Sequence, residues 1–171
     1  GAIGTEVIGG GAESVLKYGS DFSIEMETGT GKTYVYLRTI LELNKKYGLR
    51  KFIILVPSVA IREGVLKTIE QTREHFRDLY GTGFGYFAYD SGKLSRVREF
   101  VQSIDTQIMI MTIQSFNKDT NILRQNDLDR FHGEVPIALI AETRPVVIMD
   151  EPQNMESDLS KSAIGDLNAL C

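Results

Sequence analysis

Phe22-Ser-Ile-Glu-Met26 alternates apolar and polar residues as a strand does, Glu27-Thr-Gly-Thr-Gly31 breaks that rhythm, and Lys32-Thr33 opens a stretch with helical spacing. A glycine-rich turn between a strand and a helix is the context a phosphate-binding loop requires. Gly29 and Gly31 let backbone N–H groups of the Thr28-Gly-Thr-Gly31 turn face a phosphate, and the start of the helix adds the positive end of its dipole. In such a loop Lys32 reaches the terminal phosphates and the Thr33 hydroxyl ligates a magnesium ion. The loop departs from G-x-x-x-x-G-K-[ST] at its first position, where this chain has Met26.

The rest of the chain repeats the alternation of strand and helix. Tyr36, Leu37, Ile40, Leu41 and Leu43 recur at helical spacing over residues 32–47, with Gly48 placed to end the helix. Lys51-Phe-Ile-Ile-Leu-Val-Pro57 is a continuous apolar run, as in a strand covered on both faces. Ser58 is placed to cap a second helix, which turns Ile61, Val65, Leu66 and Ile69 inward and runs to about Phe76. Strands are expected at 83–89, 107–112 and 146–149, and helices at 92–103 and 134–142. Residues 117–130 read as a polar surface insertion. Such alternation predicts a three-layer α/β domain with a mostly parallel sheet and helices on both faces.

Val146-Val-Ile-Met-Asp-Glu-Pro-Gln153 ends an apolar strand in two acids. Ligands of open parallel sheets bind at the carboxyl ends of the strands, so this pair faces the same rim as the phosphate loop. There Asp150 would hold magnesium and Glu151 would take the proton of an attacking water. With Lys32 they make a catalytic set for nucleotide hydrolysis.

The 171 residues, 42% hydrophobic and 25% charged, suit one soluble domain. Glycines crowd the first eleven positions, so residues 1–20 read as a lead-in and 21–171 as the domain. No apolar run approaches the roughly 20 residues that span a bilayer, and Cys171 is the single cysteine, as suits a cytoplasmic protein. The net charge of −4 provides no global field for nucleic acid. His75 and His132 lack metal-ligand spacing. Tyr80, Phe84, Tyr86, Phe87 and Tyr89 read as core packing, and Arg38, Lys45, Lys46, Arg50 and Lys51 as a solvated face.

Met26-Glu-Thr-Gly-Thr-Gly-Lys-Thr33 with Tyr34-Val-Tyr-Leu-Arg-Thr-Ile40, Phe52-Ile-Ile-Leu-Val-Pro-Ser-Val-Ala-Ile-Arg-Glu-Gly64 and the Asp150-Glu-Pro-Gln153 box closely resembles the restriction subunit of type III restriction enzymes. The likeness runs from about Asp21 to the C-terminus. It implies the first RecA-like P-loop NTPase domain of a superfamily 2 helicase-like motor, with ATP and Mg²⁺ as cofactors and double-stranded DNA as track. Pro57, Ser58 and Arg62 match a segment that grips nucleic acid, and Thr112 with Ser115 matches a second. The family pattern also implies a second RecA-like domain carrying an arginine finger, a nuclease domain, and a methyltransferase (modification) subunit as partner. This chain alone is then expected to bind nucleotide weakly and to turn it over negligibly. The alternatives are another superfamily 2 helicase, a type I restriction subunit, or an ATP-sensing module that does not hydrolyse. The Asp-Glu-Pro-Gln box argues against the first two and Glu151 against the last.

Overall fold

Lys51–Val56 (β1) lies at the centre of the sheet, with Phe52 to Val56 fully buried. A computed structural model describes Met26 and residues 31–116, 136–151 and 164–170. Within them Lys32–Tyr47 (α1), β1, Val59–Tyr80 (α2), Gly85–Ala88 (β2), Leu94–Gln102 (α3), Gln107–Thr112 (β3), Pro136–Glu142 (α4) and Val146–Met149 (β4) follow in that order. All strand pairs are parallel and the spatial order is β2-β3-β1-β4. Parallel neighbours need crossovers. α2, α3 and α4 supply them.

The apolar run of β1 divides between two helical layers because successive side chains leave opposite faces of a strand. Phe52, Ile54 and Val56 join Ile108, Ile110 and Val146 beneath α1 (Leu37, Ile40, Leu41) and α2 (Val65, Ile69, Phe76). Ile53 and Leu55 join Met109, Met111 and Val147 beneath α3 (Val97, Phe100) and α4 (Ile137, Ile140). Each fully buried side chain of this size stabilises by about 1.5–3 kcal/mol. Both faces of β1 therefore hold the three layers together, as the continuous run predicted.

Two boundaries differ from expectation. α2 continues one turn beyond Phe76 and is capped by Gly81, whose N–H donates to the Arg77 carbonyl at 2.8 Å and whose φ of 67° takes the chain out of the helix. Nothing between Phe76 and Gly81 breaks a helix, and Tyr80 secures the added turn by donating to Glu42 Oε1 at 2.8 Å. β2 is shorter than the aromatic stretch because its length is set by its partner, with Gly85 opposite Gln107 and Ala88 opposite Ile110. Phe84 and Tyr89 are nevertheless buried, so those aromatics do pack the core. The basic cluster is only partly a solvated face. Arg50 donates to the Ile104 carbonyl and Lys51 Nζ to the Ser103 carbonyl at 2.6 Å, tying the start of β1 to the turn before β3. The expected strand at 22–26 (apart from Met26), the lead-in, the insertion at 117–130, His132 and Cys171 lie outside the described residues. Among the described residues no helix is long and apolar enough to cross a membrane.

Candidate nucleotide site and nucleic-acid interface

Because the strands are parallel, their carboxyl ends share one rim: Val56 leads to Pro57 and Ser58, Ala88 to Tyr89 and Asp90, Thr112 to the helical turn at 113–116, and Met149 to Asp150. The Asp150 N–H donates to the Leu55 carbonyl at 2.9 Å, extending the β1–β4 ladder by one bond and fixing Asp150 at that rim. Glu151 then takes φ 58°, a left-handed conformation that costs a side-chain-bearing residue roughly 1–2 kcal/mol.

The N-terminus of α1 meets this corner. Gly31 adopts φ 85°, open to glycine without strain, and its carbonyl accepts from the Val35 N–H to close the first turn. Burial pushes the Asp150 carboxyl above the usual carboxylate range. The Lys32 ammonium pulls it back and the Glu151 charge raises it again. The Asp150 charge is also felt by Tyr36, whose phenol is pushed up to about 12, chiefly by burial. Tyr36 donates its O–H to Thr33 Oγ1 at 3.0 Å. Lys32, Asp150 and Glu151 are thus brought together from the two motifs, and Thr33 is linked to them through Tyr36. Thr28, Gly29 and Thr30 lie outside the described residues, as do Pro152 and Gln153. A hydroxyl and a half-buried carboxylate are hard oxygen donors of the kind magnesium takes, and a cation would relieve the cost of keeping Asp150 charged.

The second expected group of residues lies further along the rim. Ser58 caps α2, its Oγ accepting from the Ile61 N–H at 3.3 Å. Arg62, one turn on, is paired with Glu63 at 3.0 Å. Thr112 is buried; its hydroxyl accepts from the Ser115 N–H and donates to Ser115 Oγ, so it shapes the turn that presents Ser115. Arg62 and Ser115 line a cavity of about 450 Å³ together with Ser91, Lys93 and Arg96. Sequence reasoning missed the last three. The Asp90-Ser-Gly-Lys93 turn directly after β2 was the available signal, since it stands at the same rim as both motifs.

Strand order, layers and the corner joining Lys32 to Asp150 are those of a RecA-like P-loop domain. The family described as "Type III restriction enzyme, res subunit" matches residues 7–168, and the chain belongs to it. It is 33% identical over 158 residues to the type III restriction-modification enzyme StyLTI Res subunit of Salmonella typhimurium, covering 81% of this chain and 16% of that protein. It is 32% identical over 147 residues to the EcoPI Res subunit of Escherichia phage P1 and 31% identical over 147 residues to the EcoP15I Res subunit of Escherichia coli. Each of these two matches covers 75% of this chain and 15% of the relative. The chain therefore spans about one-sixth of the length of these curated relatives.

Proposed function

We infer that this domain binds Mg-ATP at the corner between α1 and β4 and, within a longer restriction subunit, hydrolyses it to drive translocation or switching on double-stranded DNA. The observation that carries the reading is that Lys32, from one motif, bears electrostatically on Asp150, from another far along the chain, with Thr33 tied to the same corner through Tyr36. Lys32 neutralises the terminal phosphates, Thr33 and Asp150 hold the magnesium ion, and Glu151 accepts the proton of the attacking water. Magnesium supplies charge stabilisation to the leaving phosphates. The loop Thr28-Gly-Thr-Gly31 contributes backbone donors, and residues 21–171 make up the motor domain.

Pro57, Ser58, Arg62 and Ser115 face the nucleic acid, with Thr112 shaping the turn under Ser115. The cationic cavity beside them supports this assignment. The relatives are named as restriction-modification enzymes, which supports a modification subunit as partner and cleavage by a separate nuclease domain. An arginine finger from a second RecA-like domain adds a factor of about 10³–10⁵ in such sites. Residues 1–171 tested without such a domain would bind nucleotide and turn it over negligibly.

Calorimetric titration with Mg-ADP and Mg-ATP, alongside Lys32→Ala, tests the reading. The wild-type chain is expected to bind and the variant to lose binding by tenfold or more, roughly the cost of one charge-assisted contact. Equal binding by both proteins would sink it.

A further inference from the structure

We propose that Tyr36 is a positioning residue of the nucleotide site, its hydroxyl holding the Thr33 side chain so that the hydroxyl oxygen keeps a lone pair for the metal. The inference rests on the reading of Thr33 as a magnesium ligand. Tyr36 stands three residues after Thr33, on the same face of α1, and its O–H donates to Thr33 Oγ1 at 3.0 Å. A threonine hydroxyl has two lone pairs and one proton. With Tyr36 filling one lone pair, the other remains for a cation, and the side chain has one preferred orientation instead of several.

Thr39, Thr68 and Thr72 each donate to the carbonyl four residues earlier, the ordinary use of a hydroxyl inside a helix. The oxygen of Thr33 accepts a hydrogen bond from a side chain. Two neighbouring tyrosines also show what a merely structural hydroxyl does: Tyr80 bonds Glu42 and Tyr34 bonds His75, each joining α1 to α2. Among the described residues the Tyr36 hydroxyl joins no second element. Its bond returns to the first turn of its own helix, beside Asp150, while the ring packs on the core under α1.

The test uses Mn²⁺ in place of magnesium, with ADP, and reads bound Mn²⁺ by electron paramagnetic resonance. ADP affinity is measured with Mn²⁺ and again in EDTA. Tyr36→Phe keeps the ring, and is expected to weaken Mn²⁺-dependent ADP binding about three- to tenfold, the scale of one hydrogen bond. Metal-free ADP binding should not change. In a Thr33→Ala background the same substitution should cause no further loss. Equal losses with and without Mn²⁺, or losses from Tyr36→Phe and Thr33→Ala that simply add, would overturn the proposal. So would full Mn²⁺-dependent affinity in Tyr36→Phe, with the wider reading of the site left intact. If Mn²⁺ fails to strengthen ADP binding by the wild-type chain and Lys32→Ala binds as well, the phosphate-site reading falls and Tyr36's role falls with it.

Discussion

Asp150 is under opposing demands. Burial and the Glu151 charge both raise its pKa, with Lys32 as the compensating charge. A carboxyl whose pKa is higher in the folded state than the ordinary value of about 3.9 favours folding while protonated. That contribution is complete below the unfolded pKa and is lost as the pH rises through the folded one. At neutral pH the charged group therefore destabilises the ligand-free domain. Asp150→Asn is expected to melt about 1–2 °C above wild type at pH 7, a small gain because the carboxylate is half exposed and water screens it. The advantage should vanish as the pH falls below about 4. The same variant should lose metal-dependent nucleotide binding. A lower melting temperature for Asp150→Asn at pH 7 would contradict this account. The sequence showed the acids and the phosphate loop, because their residue types and places after strands are dictated by chemistry. It did not show Tyr36. A tyrosine at helical spacing reads as core, and only the 3.0 Å bond to Thr33 distinguishes its hydroxyl from its ring.

Among the elements, α2 contains two glycines for which the same substitution should act in opposite directions. Gly64 lies inside the helix, away from the left-handed region, and a Cβ there would meet nothing within 4 Å. Gly64→Ala removes backbone freedom from the unfolded chain and should stabilise by about 0.5–1 kcal/mol, or roughly 1–4 °C. Gly81 ends the helix at φ 67°, where an alanine is strained. Gly81→Ala should destabilise by about 1 kcal/mol despite equally open space. Thermal melts of the two single variants check the pair, and shifts of the same sign would refute the assigned helix. The C-terminal end of α2 was hard to read from sequence for a related reason. The last buried apolar residue, Phe76, is not the last helical one, and Gly81 stops the chain only after Tyr80 has reached across to Glu42. By contrast, β1, β3 and α1 were legible because buried runs and a glycine cap fix them locally. The length of β2 was not, since its ends depend on where β3 lies beside it.

At the scale of the molecule, a chain with a net charge of −4 repels a polyanion at a distance, so any DNA affinity must arise where cations gather. The cavity between the carboxyl ends of β1, β2 and β3 gathers Arg62, Lys93 and Arg96 against, among the described residues, a single lining acid, Asp90. Lys93 pairs with Asp90 at 3.6 Å and Arg96 with Glu99 at 3.1 Å, but both pairs are exposed. Exposed pairs hold together by only about 0–1 kcal/mol, so a phosphate can replace the acid at small cost. Each phosphate neutralised on a duplex releases condensed counterions and adds about 0.9 to the slope of log affinity against log salt. Lys93→Ala combined with Arg96→Ala is therefore expected to lower that slope for duplex DNA by about 2. Mg-ADP binding at the α1–β4 corner should be unaffected, because neither residue belongs to that corner. An unchanged salt slope would remove the cavity from the proposed DNA interface. Equal losses of DNA and nucleotide binding would mean that the two substitutions had disturbed the sheet rather than the surface it presents.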